Sequence, residues 1–239
     1  EAFEFMHSLM GLDYQTIAEV FEGWNDSSQQ SYLLEISSRI LRTKDDEGYV
    51  IDRIADRAAY NQTGAATLVE GALKGDPLSM VASALFARFI STKKVQRQEL
   101  SQYAERSAVK PSVTADELKQ AYAFTRIINH YQHFEMIAAF SDRLGWKVNL
   151  SDLCSVWSSG CIIRSTLLQQ LMPKVDGQLS ALFDKATREE LFAQKPSVKK
   201  VITAAIENDL PMSVMQTALN YYQQMTQERS SAPMVQAQR

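Results

Sequence analysis

Three short stretches of the sequence contain residue types that can hold an anion. Thr63 and Asn61 lie at the start of an expected helix, where unpaired backbone amides and the helix dipole favour a negative charge. Arg88 lies inside an apolar helical stretch, where a charge is costly unless an internal carboxylate or a ligand anion pairs with it. In the third stretch, residues 157–165, a turn of small residues opens a helix, and Arg164 follows two β-branched residues. Each stretch also has a structural interpretation, respectively a helix cap, an internal ion pair and close helix packing.

The sequence lacks the common motifs of catalytic and metal sites. It contains no GxGxxG, P-loop, GxSxG or HExxH pattern. His130 and His133 are three residues apart on an expected helix, but no third ligand lies near them in the sequence. Cys154 and Cys161 match neither a zinc motif nor a CxxC redox motif. We therefore predict no metal site, and two reduced thiols in a cytoplasmic protein.

The composition is that of an ordinary globular chain. Hydrophobic residues make up 45% and charged residues 22% of 239 residues, and the net charge is −3. This balance gives no reason to expect nucleic acid or an anionic membrane as a partner, and no apolar run approaches a membrane span. No signal peptide is visible and the chain begins inside an amphipathic pattern, which suggests a fragment of a longer protein.

Helical periodicity dominates the chain and predicts an all-α, multi-helix bundle. Asp13 suits a helix N-cap, and Thr114 with Glu117 forms a capping-box signature that opens a long helix. An exposed turn is expected at residues 45–48 and a loop at 105–113. The predicted helices cover residues 1–11, 13–24, 28–41, 50–58, 64–74, 77–95, 114–145, 150–172, 178–194, 197–208 and 211–228.

A faint internal repeat relates residues 11–34 to residues 145–168. Each segment begins with glycine, continues through an apolar helix that ends at tryptophan, and turns into a second helix. That second helix begins Ser-Tyr-Leu-Leu at Ser31 and Ser-Thr-Leu-Leu at Ser165. The pattern predicts a duplicated helical unit whose halves share a core.

Several motifs, in matching order and spacing, resemble the C-terminal domain of 6-phosphogluconate dehydrogenase. Residues 86–88 with Ser91 and Arg97 look like the family's F-A-R-x-x-S-x-x-K-x-x-R. Residues 160–164 read Gly-Cys-Ile-Ile-Arg, and residues 235–239 read Val-Gln-Ala-Gln-Arg, close to the family's I-Q-A-Q-R. The resemblance runs from the first residue to the last.

The resemblance implies that two domains bind the cofactor and the substrate. In the family a Rossmann domain binds NADP, and the helical domain completes the pocket for 6-phosphogluconate, which is oxidised at C3 and decarboxylated to ribulose 5-phosphate. The family's base lysine and acid glutamate precede the point where this chain begins, so the chain holds neither a catalytic residue nor a cofactor site. Residues 1–229 are expected to be a helical substrate-binding and dimerisation domain, and residues 230–239 an extended tail that reaches the partner subunit.

The resemblance also implies which residues bind substrate. Arg88 aligns with an arginine that contacts the substrate phosphate, and Thr63 with a threonine beside it. Arg239 aligns with the tail arginine that binds the same phosphate from the partner subunit. A pocket shared in this way implies an obligate homodimer.

One departure from the family pattern leaves two functions open. The family's K-G-T-G-K-W-T reads Asn-Gln-Thr-Gly-Ala-Ala-Thr at residues 61–67, so the phosphate-binding lysine is Asn61. The chain is then either a domain of an active 6-phosphogluconate dehydrogenase or a divergent, non-catalytic helical module that dimerises or regulates. The sequence leaves open whether the protein is an enzyme.

Overall fold

The computed structural model describes residues 1–104, 111–175 and 184–239, and their architecture is all-α as predicted. None of the helices in these ranges is long and apolar enough to cross a membrane. The helices are α1 Ala2–Glu4, α2 Tyr14–Asn25, α3 Tyr32–Arg42, α4 Gln62–Lys74, α5 Ser79–Ser91, α6 Lys94–Leu100, α7 Ala115–Leu144, α8 Leu150–Ser158, α9 Thr166–Leu171, α10 Lys185–Glu207, α11 Ser213–Met225 and α12 Ala232–Ala237. A π-helical turn, Phe5–Leu9, continues α1, and 3-10 turns cover Val50–Arg53, Ser101–Tyr103 and Met172–Lys174.

Three helix boundaries are where local capping chemistry predicts them. The Asp13 carboxylate accepts a hydrogen bond of 2.7 Å from the Thr16 amide at the start of α2. At the start of α7, Thr114 and Glu117 form the predicted reciprocal capping box. The same helix ends at Gly145, whose φ of +68° is a left-handed conformation that glycine adopts without strain.

The predicted helix at residues 50–58 is wrong. A two-stranded antiparallel hairpin, β1 Lys44–Asp45 and β2 Gly48–Tyr49, surrounds the predicted turn and leads into the short 3-10 turn Val50–Arg53. Arg53 folds back onto the Asp45 carboxylate of the hairpin. Residues 54–61 then have no regular secondary structure, because distant side chains hold them, as described below.

Two predicted helices are each divided in two. The helix expected at 77–95 separates into α5 and α6, because the hydroxyls of Ser91 and Thr92 bind the carbonyls three residues back and compete with the helical ladder. The helix expected at 150–172 separates into α8 and α9 around Gly160, whose φ is +81°.

Three further boundaries differ from the predictions. The helices expected at 178–194 and 197–208 are one helix, α10, which passes through Pro196; residues 178–183 lie outside the described part of the chain. Helix α3 starts at Tyr32 rather than at residue 28, because Ser31 caps it. The tail is not extended: α12 forms there, with Pro233 in the first turn, where its missing N–H costs nothing. Of the expected loop at 105–113, residues 105–110 lie outside the described ranges.

The core surrounds the long helix α7. Its inward face is fully buried and packs against α10 and α11. Helix α2 packs against α3, and α8 against α9. The largest fully buried side chains in the described ranges include Tyr131, Phe124, Phe134, Phe5 and Leu168.

The two segments of the predicted repeat meet each other in the structure. Ser31 and Ser165 form an isolated antiparallel bridge, and each serine caps the helix that follows it. The Tyr32 amide donates to the Arg164 carbonyl at 3.2 Å, and the Thr166 amide donates to the Gln30 carbonyl at 3.0 Å. Equivalent positions of the two segments thus exchange hydrogen bonds. An origin by duplication stays a prediction.

Candidate functional site

The irregular segment 54–61 is held in place by an arginine from α6. Arg97 donates to the Asp56 carboxylate at 2.9 Å, to the Asp56 carbonyl at 3.1 Å and to the Ser91 carbonyl at 3.0 Å. The Ser91 hydroxyl accepts the Ala58 amide at 2.9 Å and donates to the Arg88 carbonyl at 2.7 Å. These bonds join the end of α5 to the segment that leads into α4.

Two of the predicted site residues lie at the start of α4. Asn61 is the N-cap residue, but its side chain does not cap the helix. Its amide oxygen instead accepts a hydrogen bond of 2.6 Å from the Thr63 hydroxyl. Both side chains are exposed. The first amides of α4 therefore have no side-chain cap, which leaves them available to an anion.

Arg88 reaches toward the same segment from the last turn of α5. The expectation of an apolar environment is wrong, since the Arg88 side chain is exposed. Its guanidinium has a single hydrogen bond in the described ranges, a long contact of 3.5 Å to the Ala59 carbonyl, and no carboxylate partner there. Most of its donors are therefore free of described partners and available to a ligand anion, and the internal ion pair considered from the sequence does not form with any described residue.

Arg239 does not join these three residues within the chain. It is exposed at the end of α12, and its backbone amide bonds to the Gln236 carbonyl at 3.3 Å. No contact with Asn61, Thr63 or Arg88 is present in the described ranges. Within the chain, Asn61 and Thr63 are hydrogen-bonded to each other, and Arg88 contacts Ala59 in the segment that leads to them.

The third stretch has a packing role. The Arg164 guanidinium lies 3.8 Å from the centroid of the Tyr32 ring, and its Nη1 is 3.4 Å from the Cys161 carbonyl. With Glu35 and Gln169 it lines a polar cavity of about 180 Å³ between the starts of α3 and α9. The contact between Arg164 and Tyr32 joins the two helix starts, while the polar cavity beside them is not closely packed.

Two histidines of α7 bond to backbone carbonyls, and one cysteine is buried. Nδ1 of His130 donates to the Arg126 carbonyl, and Nδ1 of His133 donates to the Asn129 carbonyl, each at 2.8 Å. No three His, Cys, Asp or Glu side chains of the described ranges are grouped to hold a metal. Cys154 is buried, and burial raises the pKa of its thiol to about 11, which makes it a poor nucleophile.

Sequence reasoning did not identify the residues that position the site. Arg97, Ser91 and Asp56 shape the segment that carries Asn61 and Thr63, but none belongs to a chemical motif. The signal in the sequence was that all three match the family's patterns: Ser91 and Arg97 in the pattern that contains Arg88, and Asp56 at the start of the pattern that contains Asn61 and Thr63.

Comparison with known proteins agrees with these features. A model of "6-phosphogluconate dehydrogenase, C-terminal domain" matches residues 1–239, the whole chain. The chain belongs to the 6-phosphogluconate dehydrogenase family. A decarboxylating 6-phosphogluconate dehydrogenase of Lactococcus lactis is 29% identical over 248 residues, which cover 100% of this chain and 52% of the relative. The mouse enzyme is 29% identical over 249 residues, covering 51% of its length.

A solved structure extends the comparison to the fold. The 6-phosphogluconate dehydrogenase of Plasmodium falciparum matches with a TM-score of 0.94 at 28% identity, covering 100% of this chain and 53% of that one. That enzyme has been solved in its apo form, with its cofactor NADP+ and with its substrate 6-phosphogluconate. This chain spans about half the length of the family members it matches.

Proposed function

We propose that this chain is the domain of a 6-phosphogluconate dehydrogenase that binds the substrate phosphate and joins two subunits. The longer protein would convert 6-phosphogluconate and NADP to ribulose 5-phosphate, carbon dioxide and NADPH. The observation that carries the proposal is the exposed Arg88, free of any carboxylate in the described ranges. Its guanidinium contacts the Ala59 carbonyl, in the segment that leads to Thr63 and the uncapped start of α4.

These residues suit a phosphate by their chemistry. The guanidinium of Arg88 presents a planar fork that can bind two phosphate oxygens, which the ammonium of a lysine cannot do in the same geometry. The Thr63 hydroxyl can donate to a third oxygen once it leaves Asn61, and the amides of α4 add a favourable dipole. The role of the chain in the reaction is then to bind and orient the substrate.

The cofactor and the proton-transfer residues would belong to the other half of the protein. NADP supplies the hydride acceptor when it is bound, and this sequence has no dinucleotide-binding fingerprint. We therefore place NADP, the base lysine and the acid glutamate on an N-terminal Rossmann domain outside this chain. Arg239 would complete the phosphate site of the partner subunit.

A homodimer is supported by apolar surface that the chain leaves uncovered. Helices α4, α5 and α6 contribute few buried residues in the described ranges, namely Gly71, Met80 and Leu85. Large apolar side chains on the same helices are about half exposed or more: Val69, Leu73, Phe86, Ile90, Val95 and Leu100. Surface of this kind marks a protein interface. Sedimentation analysis of the longer protein should therefore show a dimer.

A second candidate function rests on Asn61. A neutral amide at the family's lysine position gives the site one cation fewer, and Thr63 already occupies its oxygen. The alternative is a divergent, non-catalytic homologue that retains the helical domain for dimerisation or regulation. Asn61 can still donate to a phosphate through its amide NH2, so its presence does not decide between the two candidates. They differ in whether the full-length protein has dehydrogenase activity.

The deciding experiment is a spectrophotometric assay of the full-length gene product with 6-phosphogluconate and either NADP or NAD. Substrate-dependent reduction of the nucleotide is the expected result. A folded dimer that reduces neither nucleotide would support the non-catalytic alternative.

Asn61→Lys should tighten the binding of 6-phosphogluconate to the full-length dimer. A charge-assisted hydrogen bond contributes about 1.5–3 kcal/mol, which corresponds to roughly ten- to a hundredfold in affinity. Isothermal titration calorimetry measures the change, and Asn149→Lys, at the N-cap of α8, is a matched control that should leave affinity unchanged. Equal affinity of Asn61→Lys and the unmodified protein would mean that this segment does not lie at the phosphate.

A further inference from the structure

The start of helix α4 has little packing of its own within the chain. Among the described residues of α4, Gly71 alone is buried, near the end of the helix, where the backbone comes close to the Leu78 side chain. No residue from 62 to 70 is buried. The position of Thr63 relative to Arg88 therefore depends on the contacts that hold the segment before α4.

The hydroxyl of Ser91 bonds both to this segment and to the backbone of Arg88. It accepts the Ala58 amide at 2.9 Å and donates to the Arg88 carbonyl at 2.7 Å. Residues 54–61 have no regular secondary structure, so no helix or strand bond takes up the Ala58 amide. One side chain thus sets the distance between the backbone of Arg88 and the segment that leads into α4.

Two further contacts orient the segment on either side of the Ser91 bond. On one side, Arg97 donates to the carboxylate and the carbonyl of Asp56 at 2.9 and 3.1 Å, and also to the Ser91 carbonyl at 3.0 Å. On the other side, the Tyr60 ring packs edge-on against Phe89, with 4.8 Å between the ring centroids. The segment is therefore held at three points against the end of α5 and the start of α6.

The neighbouring residue Thr92 shows which of the two Ser91 bonds is distinctive. The Thr92 hydroxyl donates to the Phe89 carbonyl at 2.7 Å, which is the same bond to the carbonyl three residues back that Ser91 makes. Among the described residues, however, Thr92 has no side-chain hydrogen bond to segment 54–61. Both hydroxyls compete with the helical ladder at the end of α5, and the bond to the Ala58 amide is what Ser91 makes in addition.

We propose that Ser91 is a positioning residue of the substrate-binding site, whose hydroxyl holds Arg88 and the start of α4 at the spacing at which both bind one phosphate. The inference rests on the proposed function, because it takes Arg88 and Thr63 as the phosphate ligands. The Ser91 hydroxyl acts through these groups and does not itself touch the substrate. Without it the segment samples other positions, and only the fraction of molecules with the correct spacing binds the phosphate through both groups.

Ser91→Ala should weaken the binding of 6-phosphogluconate to the full-length dimer by roughly three- to tenfold, which is the range that one neutral hydrogen bond contributes. Isothermal titration calorimetry measures the change and does not depend on activity. Ser91→Thr keeps the hydroxyl and should restore most of the affinity. Thr92→Ala is the matched control, because it removes the same bond to a helix carbonyl without releasing segment 54–61, and it should leave affinity unchanged.

A double-mutant cycle distinguishes positioning from a general loss of structure. If Ser91 acts through Arg88, Ser91→Ala should change affinity much less in the Arg88→Leu background, since the guanidinium that it positions is gone. In steady-state kinetics the KM for 6-phosphogluconate should rise, while kcat and the KM for NADP stay the same. Losses of affinity that add in the cycle, or a matching fall in kcat, would assign Ser91 a purely structural role and overturn the inference.

Hydrogen exchange of the full-length dimer measures the anchoring of the segment without substrate. The amides of residues 54–61 should exchange faster in Ser91→Ala than in Thr92→Ala or the unmodified protein, and equal exchange in the two variants would overturn the inference. Faster exchange with unchanged affinity would also overturn it, but would leave the proposed function intact if Arg88→Leu weakens binding. Unchanged affinity of Arg88→Leu would overturn the proposed function, and this inference with it.

Discussion

Replacing Arg88 with leucine should weaken the binding of 6-phosphogluconate to the full-length protein by roughly a hundredfold or more. A guanidinium fork on phosphate makes two charge-assisted hydrogen bonds, each contributing about 1.5–3 kcal/mol. Arg88 has no carboxylate partner among the described residues and is exposed, so its loss removes ligand contacts without breaking an internal ion pair. Calorimetry with the substrate measures the effect.

A second variant of Arg88 distinguishes the bidentate hydrogen bonding of the guanidinium from its positive charge, and a variant of Arg39 is the control. Arg88→Lys keeps the cation but loses the bidentate geometry, so its affinity should lie between those of Arg88→Leu and the unmodified protein. Arg39→Leu removes an exposed arginine that pairs with Glu35 on α3, and should leave substrate affinity unchanged. Unaltered binding by Arg88→Leu in a folded dimer would rule out this phosphate site.

Stability should decrease as the pH falls from about 6.5 towards 4, because His130 is kept neutral in the fold. Burial lowers the pKa of His130 from 6.5 to about 4. The hydrogen bond from His130 to the Arg126 carbonyl raises this pKa, while the positive charge of Arg126 lowers it further. Below pH 6.5 the unfolded chain therefore binds a proton that the folded chain does not. The free energy of unfolding therefore has its full value, as far as His130 is concerned, above pH 6.5. Between pH 6.5 and 4 it falls by roughly 3 kcal/mol at most, since part of the ring is accessible to solvent.

Urea denaturation between pH 4 and 7 tests this contribution. His130→Phe should flatten the dependence across this range, while His133→Gln, one turn along the same helix, should retain it. A pH profile of His130→Phe that matches the unmodified protein would assign the acid sensitivity to other groups.

The sequence predicts those parts of the fold that depend on neighbouring residues. The start of α7 follows from Thr114 and Glu117, three positions apart, and its end follows from Gly145. Segment 54–61 could not be predicted in this way, because Arg97 holds it from 41 positions away. Local periodicity there favours a helix, and a tertiary hydrogen bond overrides it.

The candidate site, too, could be predicted from the sequence only in part. The resemblance to the family indicated Thr63, Arg88 and Asn61, and the structure places all three beside one segment. Sequence alone gave the wrong environment for Arg88, since apolar neighbours along a helix do not reveal which face a partner covers. The role proposed for Arg239 involves a second subunit, which no pattern within one chain can place.

The bridge between Ser31 and Ser165 has a consequence for how the chain folds. Helices usually form rapidly because their contacts are local, but the bond between Thr166 and Gln30 closes a loop of 136 residues. Closing a loop of that length costs about 4 kcal/mol of chain entropy, which must be offset by contacts made only once both segments have met. Folding should therefore have a slow step that is unusual for an all-helical protein, and the two segments should unfold together rather than in sequence.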